Sequence, residues 1–540
     1  MVVLAHTSVL DTTRNAFDSL IAVAYPSGPG NAGNGTTGAF GYDSVGRPSS
    51  VMWNQSSGAG GGLLTSDAVT VRDRLGRVLD YTTDGFSPGA GNEYAYDNAG
   101  RLTSARSFTQ APSAIAATVT NTYGFAVTGG CGSATGAGLN TNRTSKTVTP
   151  SVGTAKTTSY CYDLADRLTS VVVPSGDPNP YTGITYDTHG NLSLMGTESR
   201  SYDAANRHLS TAAGTTTVSY VRDAADRIVE RKLNGTTQAR YSFGGGGDSP
   251  TLALDASNNV TGASMGLPGG VLYRWIPATP TASIWSYPNI QGTVTATATN
   301  AGAKIGGTAV YDPDGNQLVG SIPDNAPGAF DYGWHGASQR PLEHQTGLEP
   351  VIEMGARQYH PVLGRFLETD PIEGGVDNDY NYVADPVNGS DLSGEAANGA
   401  CKVVSVGAIV VVEGTICFWQ DDAGRESYTW GAGVGVGWSL ASFGVSMMWS
   451  NVDSVGQLTG WAACGSVGLL VYVGGGVAGC SWQGSRRRYY TGAVYGGVGL
   501  RGPSVTATAQ ATGAAPGWIR TLLSNDYGQL RWAVRNNPVK

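Results

Sequence analysis

The chain has 540 residues and a formal net charge of −8, which argues against a protein that grips nucleic acid along its whole length. Only 14% of its residues are charged and 79 are glycine, without a collagen period, which excludes a fibrous or mainly helical design. Thr, Val, Tyr, Ser and Gly dominate, and this composition predicts an all-β fold with many turns.

The first residues, MVVLAHTSVLDTTRNAF, lack a basic stretch followed by an apolar run and do not read as a secretory signal peptide. The repeats after them begin without a capping segment. The expectation is a C-terminal portion of a longer product, or export by a dedicated route.

A short unit then recurs. Tyr42-Asp43 leads into SVGRP, Arg72-Asp73 into RLGRVLDY, Tyr96-Asp97 into NAGRLTSA and Tyr162-Asp163 into LADRLTSV. Tyr186-Asp187, Tyr202-Asp203, Arg222-Asp223 and Tyr311-Asp312 open similar units. The unit is Tyr-Asp-x-x-Gly-Arg-Leu. Its Asp can bond the backbone of a tight turn while the Gly takes positive φ, and the flanking Tyr and Leu lie on strands. Each unit predicts a β-hairpin with Asp-x-x-Gly at the tip, stacked on its neighbours as in a solenoid. The repeat aspartates and tyrosines read as structural. Gly/Ser/Thr/Pro stretches such as PSGPGNAGNGTTG and GGGGDSP read as loops between hairpins.

Residues 251–345 look less repetitive. Tyr273, Trp275, Trp285 and Tyr287 cluster around prolines, which predicts a segment covering a sheet edge or plugging an opening. An aromatic sugar platform is the alternative. No two histidines stand at metal-ligand spacing, so no metal or cofactor is expected. His335 and His344 beside Glu343 read as structural.

Gly355 to Gly394 reads GARQYHPVLGRFLETDPIEGGVDNDYNYVADPVNGSDLSG, dense in Asp, Asn, Tyr and Pro. These residues resemble the RHS-repeat-associated core. GARQYHPVLGRFLETDPI matches that family's GARYYDPxLGRFxxxDPI pattern, and NDYNYVADPVNGSDLSG matches its NxYxYxxxNPVNxxDPSG close. With the Tyr-Asp units, the chain resembles RHS/YD-repeat proteins, which include polymorphic toxins and teneurin-like shells. The resemblance implies β-hairpins coiled into a hollow shell over residues 1–250, a further shell or plug segment over 251–345, a core over 346–395 and a variable C-terminal domain over 396–540. It also implies that the core cuts its own chain with an aspartyl-type pair. That pair falls on Asp370 and Asp391, with Arg365 of LGRF beside it and the cut at Glu395–Ala396. Two carboxylates held close share a proton, one activating water and the other polarising the carbonyl. Asp385 competes for the second place. Leu392 stands where the family has Pro, and Glu395 where it has Leu.

After Glu395 the chain becomes glycine-rich and nearly uncharged. Trp430 to Leu440 and Val505 to Thr512 alternate with period two, the mark of strands, so a separate small Gly-rich β-domain is expected. Trp461 to Trp482 is uncharged and followed by Arg486-Arg487-Arg488, which also fits a membrane-spanning helix or barrel strands. The spacing of Cys401, Cys417, Cys464 and Cys480 suggests two disulfides, Cys401–Cys417 and Cys464–Cys480. With no His in this tail, His-dependent chemistry is not expected there.

Three readings are open. In the first, a secreted or surface-exposed shell holds its own C-terminal domain as cargo and releases it by self-cleavage. The target is then a membrane of another cell, an immunity protein is the matching partner, and nucleic acid is not a ligand of the shell. In the second, the chain is an adhesive surface protein. In the third, the tail is an enzyme using acids such as Glu426 with Arg425.

Overall fold

One loop, used many times, sets the architecture. In the computed structural model the Asp43 N–H donates to the Arg47 carbonyl (2.9 Å) and the Gly46 N–H donates to the Asp43 carbonyl (3.0 Å). One carboxylate oxygen of Asp43 accepts from the N–H groups of Val45 (3.0 Å) and Arg47 (2.9 Å), and the other accepts from Arg47 Nε (2.7 Å). The same set recurs at Asp73, Asp97, Asp163, Asp203 and Asp223, each with its own Arg. At Asp187, Asp255 and Asp312 an Asn side chain replaces the Arg. The fourth residue of the loop is left-handed. It is Gly at 46, 76, 100 and 190, but Asp166, Asn206, Asp226 and Asn258 adopt φ between 60° and 67° at the same place. Asp and Asn tolerate this region better than other residues with a Cβ, so the loop survives loss of its glycine.

At six of these loops the residue before the Asp ties one unit to the previous one. The hydroxyls of Tyr42, Tyr96, Tyr186 and Tyr202 donate to the carbonyls of Leu20, Val78, Leu168 and Leu192 at 2.8–3.0 Å. Each acceptor directly follows the preceding loop. Arg72 and Arg222 stand where Tyr is expected, and they make the same bond, to Pro48 (2.6 Å) and His208 (2.9 Å). A long side chain with a terminal donor is what these six positions share; Leu254, before Asp255, has no donor, and the buried Tyr311 hydroxyl, before Asp312, makes no such bond.

The structure describes residues 10–89, 91–113, 117–126, 131–245, 247–371, 378–394, 398–420, 426–450, 461–483 and 488–512. The chain divides into two units. The first holds Met1–Gly244, Asp248–Thr369 and Tyr380–Asn388; the second holds Gly245–Gly247, Asp370–Asp379 and Gly389–Lys540. The fold is all-β, and among the described residues helix is limited to short 3-10 turns.

In the first unit the strands form antiparallel meanders in chain order: six strands from Asp11 to Thr83, six from Tyr94 to Val172, thirteen from Thr185 to Ile305, two from Val310 to Val319 and five from Phe330 to Phe366. The thirteen-stranded sheet runs unbroken past residue 250. Val271–Trp275 and Ile284–Pro288 are interior strands of it rather than a plug or an edge cover. Residues 251–345 are also more repetitive than their sequence suggests. Asn289 and Thr299 close the same loop as Asp43, with a side-chain oxygen accepting two N–H bonds in each case. So does Asn15. Trp285 and Tyr287 are buried against Tyr25 and Trp53 of the first sheet, and Trp53 Nε1 donates to the Pro288 carbonyl (2.9 Å). Trp285 and Tyr287 are core packing, and burial of such rings stabilises by roughly 2–3 kcal/mol each, whereas Trp275 is 38% exposed.

One disulfide joins Cys131 to Cys161, with Cα atoms 4.6 Å apart. The pairings expected in the tail do not hold. Cys401 and Cys417 lie on one strand, Asn398–Gln420, and Cys464 and Cys480 lie on another, Trp461–Gln483. Sixteen residues of extended chain separate such pairs by about 50 Å, against the ~6 Å that a disulfide needs.

The second unit contains a four-stranded antiparallel sheet of 23–25-residue strands: Asn398–Gln420, Glu426–Ser450, Trp461–Gln483 and Arg488–Thr512. The last strand lies between the second and third. Trp461–Gln483 is a strand, which overturns the helical reading of this segment. No described helix is long and apolar enough to cross a membrane.

Candidate functional site

The core begins with two tight turns. Val351–Met354 pairs with Arg357–His360, and Met354 faces Arg357 across a two-residue loop whose first residue, Gly355, has φ 70°. Glycine suits that position of a hairpin turn. The chain then folds back through Pro361–Gly364, and Arg365–Phe366 pairs with Tyr359–His360.

From there the core is bonded across the ends of successive repeat units. Arg365 Nη2 donates to the Asp166 carbonyl (2.7 Å), the Leu192 N–H to the Leu367 carbonyl (2.9 Å) and the Tyr380 hydroxyl to the Gly190 carbonyl (2.6 Å). The Leu102 N–H donates to the Ala384 carbonyl (2.9 Å), and the Val78 N–H to Asn388 Oδ1 (2.8 Å). The approach at Gly190 is close. A Cβ there would meet Thr369 Cγ2 at 2.8 Å and the Tyr380 hydroxyl at 2.9 Å.

The expected catalytic residues fall on both units. Asp370 and Asp391 are both half-buried and both belong to the second unit, where the Ser393 hydroxyl reaches Asp391 Oδ1 (3.4 Å). Arg365 belongs to the first unit. It is buried, and its guanidinium lies over Tyr162 (5.1 Å) and Tyr380 (5.0 Å) while donating to Asp166. This describes an anchor for the core. Glu395 and Ala396 lie outside the described residues. Asp385 is occupied as a turn cap, accepting from the N–H groups of Val387 and Asn388 (both 3.2 Å) and from Asn388 Nδ2 (2.9 Å). Burial pushes its carboxyl up to about 6, with the Asn388 bonds opposing.

His335 and His344 are structural. His335 packs on Trp334, and burial holds its imidazole down at about 4. His344 Nε2 reaches Asp331 Oδ2 (2.9 Å).

A buried polar cluster that the motif does not announce joins residues 343–368 to the repeat strands. Glu343 binds Arg231 through two bonds (2.7 and 2.8 Å) and accepts from the Tyr220 hydroxyl (2.8 Å). Glu353 accepts from Arg222 Nη2 (2.9 Å) and Gln358 Nε2 (2.7 Å). Arg200 Nη2 donates to Glu198 (2.5 Å). Glu368 accepts from the Gln358 N–H (2.8 Å). All of these acids are at most 4% exposed. Burial pushes Glu368 up to about 8; Glu353 adds to the rise, while the Gln358 N–H, Arg222 and Arg200 oppose it. Burial, helped by Arg200, pushes His360 down to about 3. Arg222 goes the other way: burial would lower it, but Glu353 and Asp226 outweigh burial and raise it. Glu368 is therefore neutral at pH 7 and Arg222 is charged.

A sequence signal for this cluster existed. Side chains two apart share a strand face. Arg200 and Arg222 are each two residues from an inward tyrosine, Tyr202 and Tyr220, so their inward position was readable from parity. The chain matches no family model and no curated protein. The likeness to RHS/YD-repeat proteins therefore rests on the motif residues named above.

Proposed function

We propose that this chain is an RHS-type shell protein whose core cuts the polypeptide beyond Gly394 and frees the glycine-rich tail as an effector. The observation that carries this reading is the course of the core, which is bonded to the units at 78, 102, 166, 190 and 192 before the chain enters 389–394. A segment held at so many points restricts where the adjoining peptide can go, and a tethered peptide needs only proximity for a single turnover. Asp370 and Asp391 act as the shared-proton pair, and Arg365 is a positioning residue that seats the core. The tail acts on a membrane, since its strands offer long uncharged sequence rather than tuned acids and bases. Secretion or surface exposure, and a matching immunity protein, belong to the same reading.

Denaturing gels of the purified chain test it. Wild type should give two pieces meeting near residue 395, while Asp370→Asn and Asp391→Asn stay whole. Arg365→Lys should cut slowly, because the ammonium cannot reproduce the planar stack on two tyrosines. A single wild-type band under all folding conditions would exclude self-cleavage and leave the adhesive reading.

A further inference from the structure

The register of the tail sheet reveals a pattern that residue-by-residue alternation hides. Directly opposed residues of antiparallel strands share a face. Met447, Val494 and Val477 form one row across three strands, and Phe443, Val498 and Val473 form another. The rows between them hold Ser446, Tyr495 and Gly476, then Gly444, Gly497 and Gly474. One face is thus Val, Met and Phe, and the other is mostly Gly and Ser.

The pattern continues past mid-strand only because of two bulges. On Trp461–Gln483 the valines are odd-numbered throughout, at Val467, Val471, Val473 and Val477, while Leu470, Tyr472 and Trp482 fall on the other parity. On Glu426–Ser450 they change from even (Val434, Val436) to odd (Phe443, Val445), and on Arg488–Thr512 from even (Val494, Val498) to odd (Val505, Ala507). The pairing absorbs this change. Two steps from Ser405 to Gly407 face three from Ser442 to Ser439, and two from Gly468 to Leu470 face three from Ser504 to Arg501. Each central strand gains one residue relative to its edge neighbour, which restores its side-chain parity. Pro503, which cannot donate to a ladder, lies in this break. Sequence and register agree on one apolar face along the whole sheet.

We propose that this face meets lipid, and that the half of the sheet between Tyr490 and Leu500 crosses a bilayer as part of a barrel closed by further copies of this chain. The proposal rests on the reading of the tail as the effector. Eleven residues rise about 36 Å, and tilted by ~45° they span roughly 25 Å, the height of the apolar band of a membrane barrel. Two aromatic residues mark one limit of the apolar face, Tyr490 and Trp449, which pairs with Gly492; the pair Trp482 and Tyr489 lies at the same limit on the opposite face. Arg488 lies just beyond them, and Arg501 stands at the bulge at the other limit. This is the order of an interfacial belt with cationic flanks. Lys402 is the exception on the apolar face, and it lies on an edge strand. In lipid the edge strands must find partners for their backbone. The two edges, Asn398–Gln420 and Trp461–Gln483, run antiparallel to each other, so the edge of one copy can pair with the opposite edge of the next.

The full chain, reconstituted from mild detergent into phosphatidylcholine–phosphatidylglycerol vesicles, tests this by dye release. Wild type should release dye, Val445→Asp and Val498→Asp should lose about tenfold because each places a charge on the lipid face, and Ser446→Asp should change less than about twofold. Circular dichroism checks that all variants keep their strands. Equal effects of the three substitutions would overturn the face assignment. No release by wild type, or soluble face-to-face dimers without release, would overturn the bilayer as the partner. Gels of the same samples read self-cleavage separately, so failure of the shell reading is told apart from failure of this one.

Discussion

The loops at the ends of the hairpins and the buried cluster around Glu353 and Glu368 use the same kinds of side chain for opposite ends. At a loop, Asp97 accepts two backbone N–H bonds and pairs with Arg101 while remaining one-quarter exposed. Burial is the largest single influence and raises its carboxyl, but the Arg101 and Ala99 bonds together outweigh it and hold it below the ordinary range. In the buried cluster, Glu368 accepts from the Gln358 N–H, and burial raises its carboxyl to about 8. The difference teaches where each carboxylate adds specificity. A loop aspartate makes a local, repeated and separable contribution. An inner glutamate links segments more than a hundred residues apart, as Glu353 does with Arg222.

The largest expected effect breaks that inner link. Glu353→Ala leaves Arg222 buried without its partner and should cost about 3–5 kcal/mol in chemical denaturation followed by tryptophan fluorescence. The double replacement Glu353→Met with Arg222→Met should cost much less, because no charge is then stranded. A double mutant as unstable as the single would show that the pair is not an isolated charge couple.

The contrast between the regions also has a pH signature. Glu368 is raised in the folded state, so its stabilising effect is complete below its ordinary value near 4.5 and is lost as pH rises through about 8. Stability should fall by about 1.4 kcal/mol per pH unit across that window from this group alone. Glu368→Gln should remove the part of the slope above about pH 7, since Asp385, raised to about 6, and Asp67, raised to about 7, both by burial, keep stability falling at lower pH. The loop aspartates 43, 73, 97, 203 and 223 are depressed, so their contribution is present above pH 4 and lost as pH falls through their lowered values. Urea midpoints measured from pH 3 to 9 separate the two. A Glu368→Gln profile that still falls between pH 7 and 8 would assign that part of the slope to another group.

These loops were the most legible part of the chain. Tyr-Asp-x-x-Gly-Arg names its own backbone conformation, and all-β character follows from it. Asn15, Asn289 and Thr299 were missed because the sequence pattern demanded Asp, whereas the geometry demands only a short side chain with an acceptor oxygen. For 251–345 two readings stood, shell or plug, and the strands up to Ile305 continue the thirteen-stranded sheet. Prolines beside aromatics looked like a break, yet Trp285 and Tyr287 face the common core. Arg365 was legible as a core residue but not as an anchor, since its acceptor is the carbonyl of Asp166, far away in sequence. The tail cysteines were misread because equal spacing was taken for proximity, and a long strand makes the same spacing a separation.

Single loops sharpen the comparison on a smaller scale. Asp97→Ala should cost about 1 kcal/mol, as loss of a capping oxygen does elsewhere. Asp97→Asn should cost roughly half of that, because Asn289 shows that an amide oxygen can accept both N–H bonds, and only the Arg101 pair is lost. Equal losses for Ala and Asn, measured by thermal unfolding, would mean that the ion pair matters more than the backbone bonds.

The smallest effect concerns the tie between loops. The Tyr42 hydroxyl donates to the Leu20 carbonyl (2.9 Å), and Tyr42→Phe removes that donor while keeping the ring. A partly exposed carbonyl can turn to water, so the cost should stay near 1 kcal/mol or below. Tyr42→Arg should cost less than Tyr42→Phe, although Phe is the closer match in shape. The reason is that Arg72 and Arg222 already occupy this position, and each reaches both the previous unit and its own loop, at the Gly76 (2.9 Å) and Asp226 (3.1 Å) carbonyls. If Phe proves the milder change in thermal unfolding, the ring rather than the donor holds adjacent units together, and Arg72 and Arg222 mark weak points in the ladder.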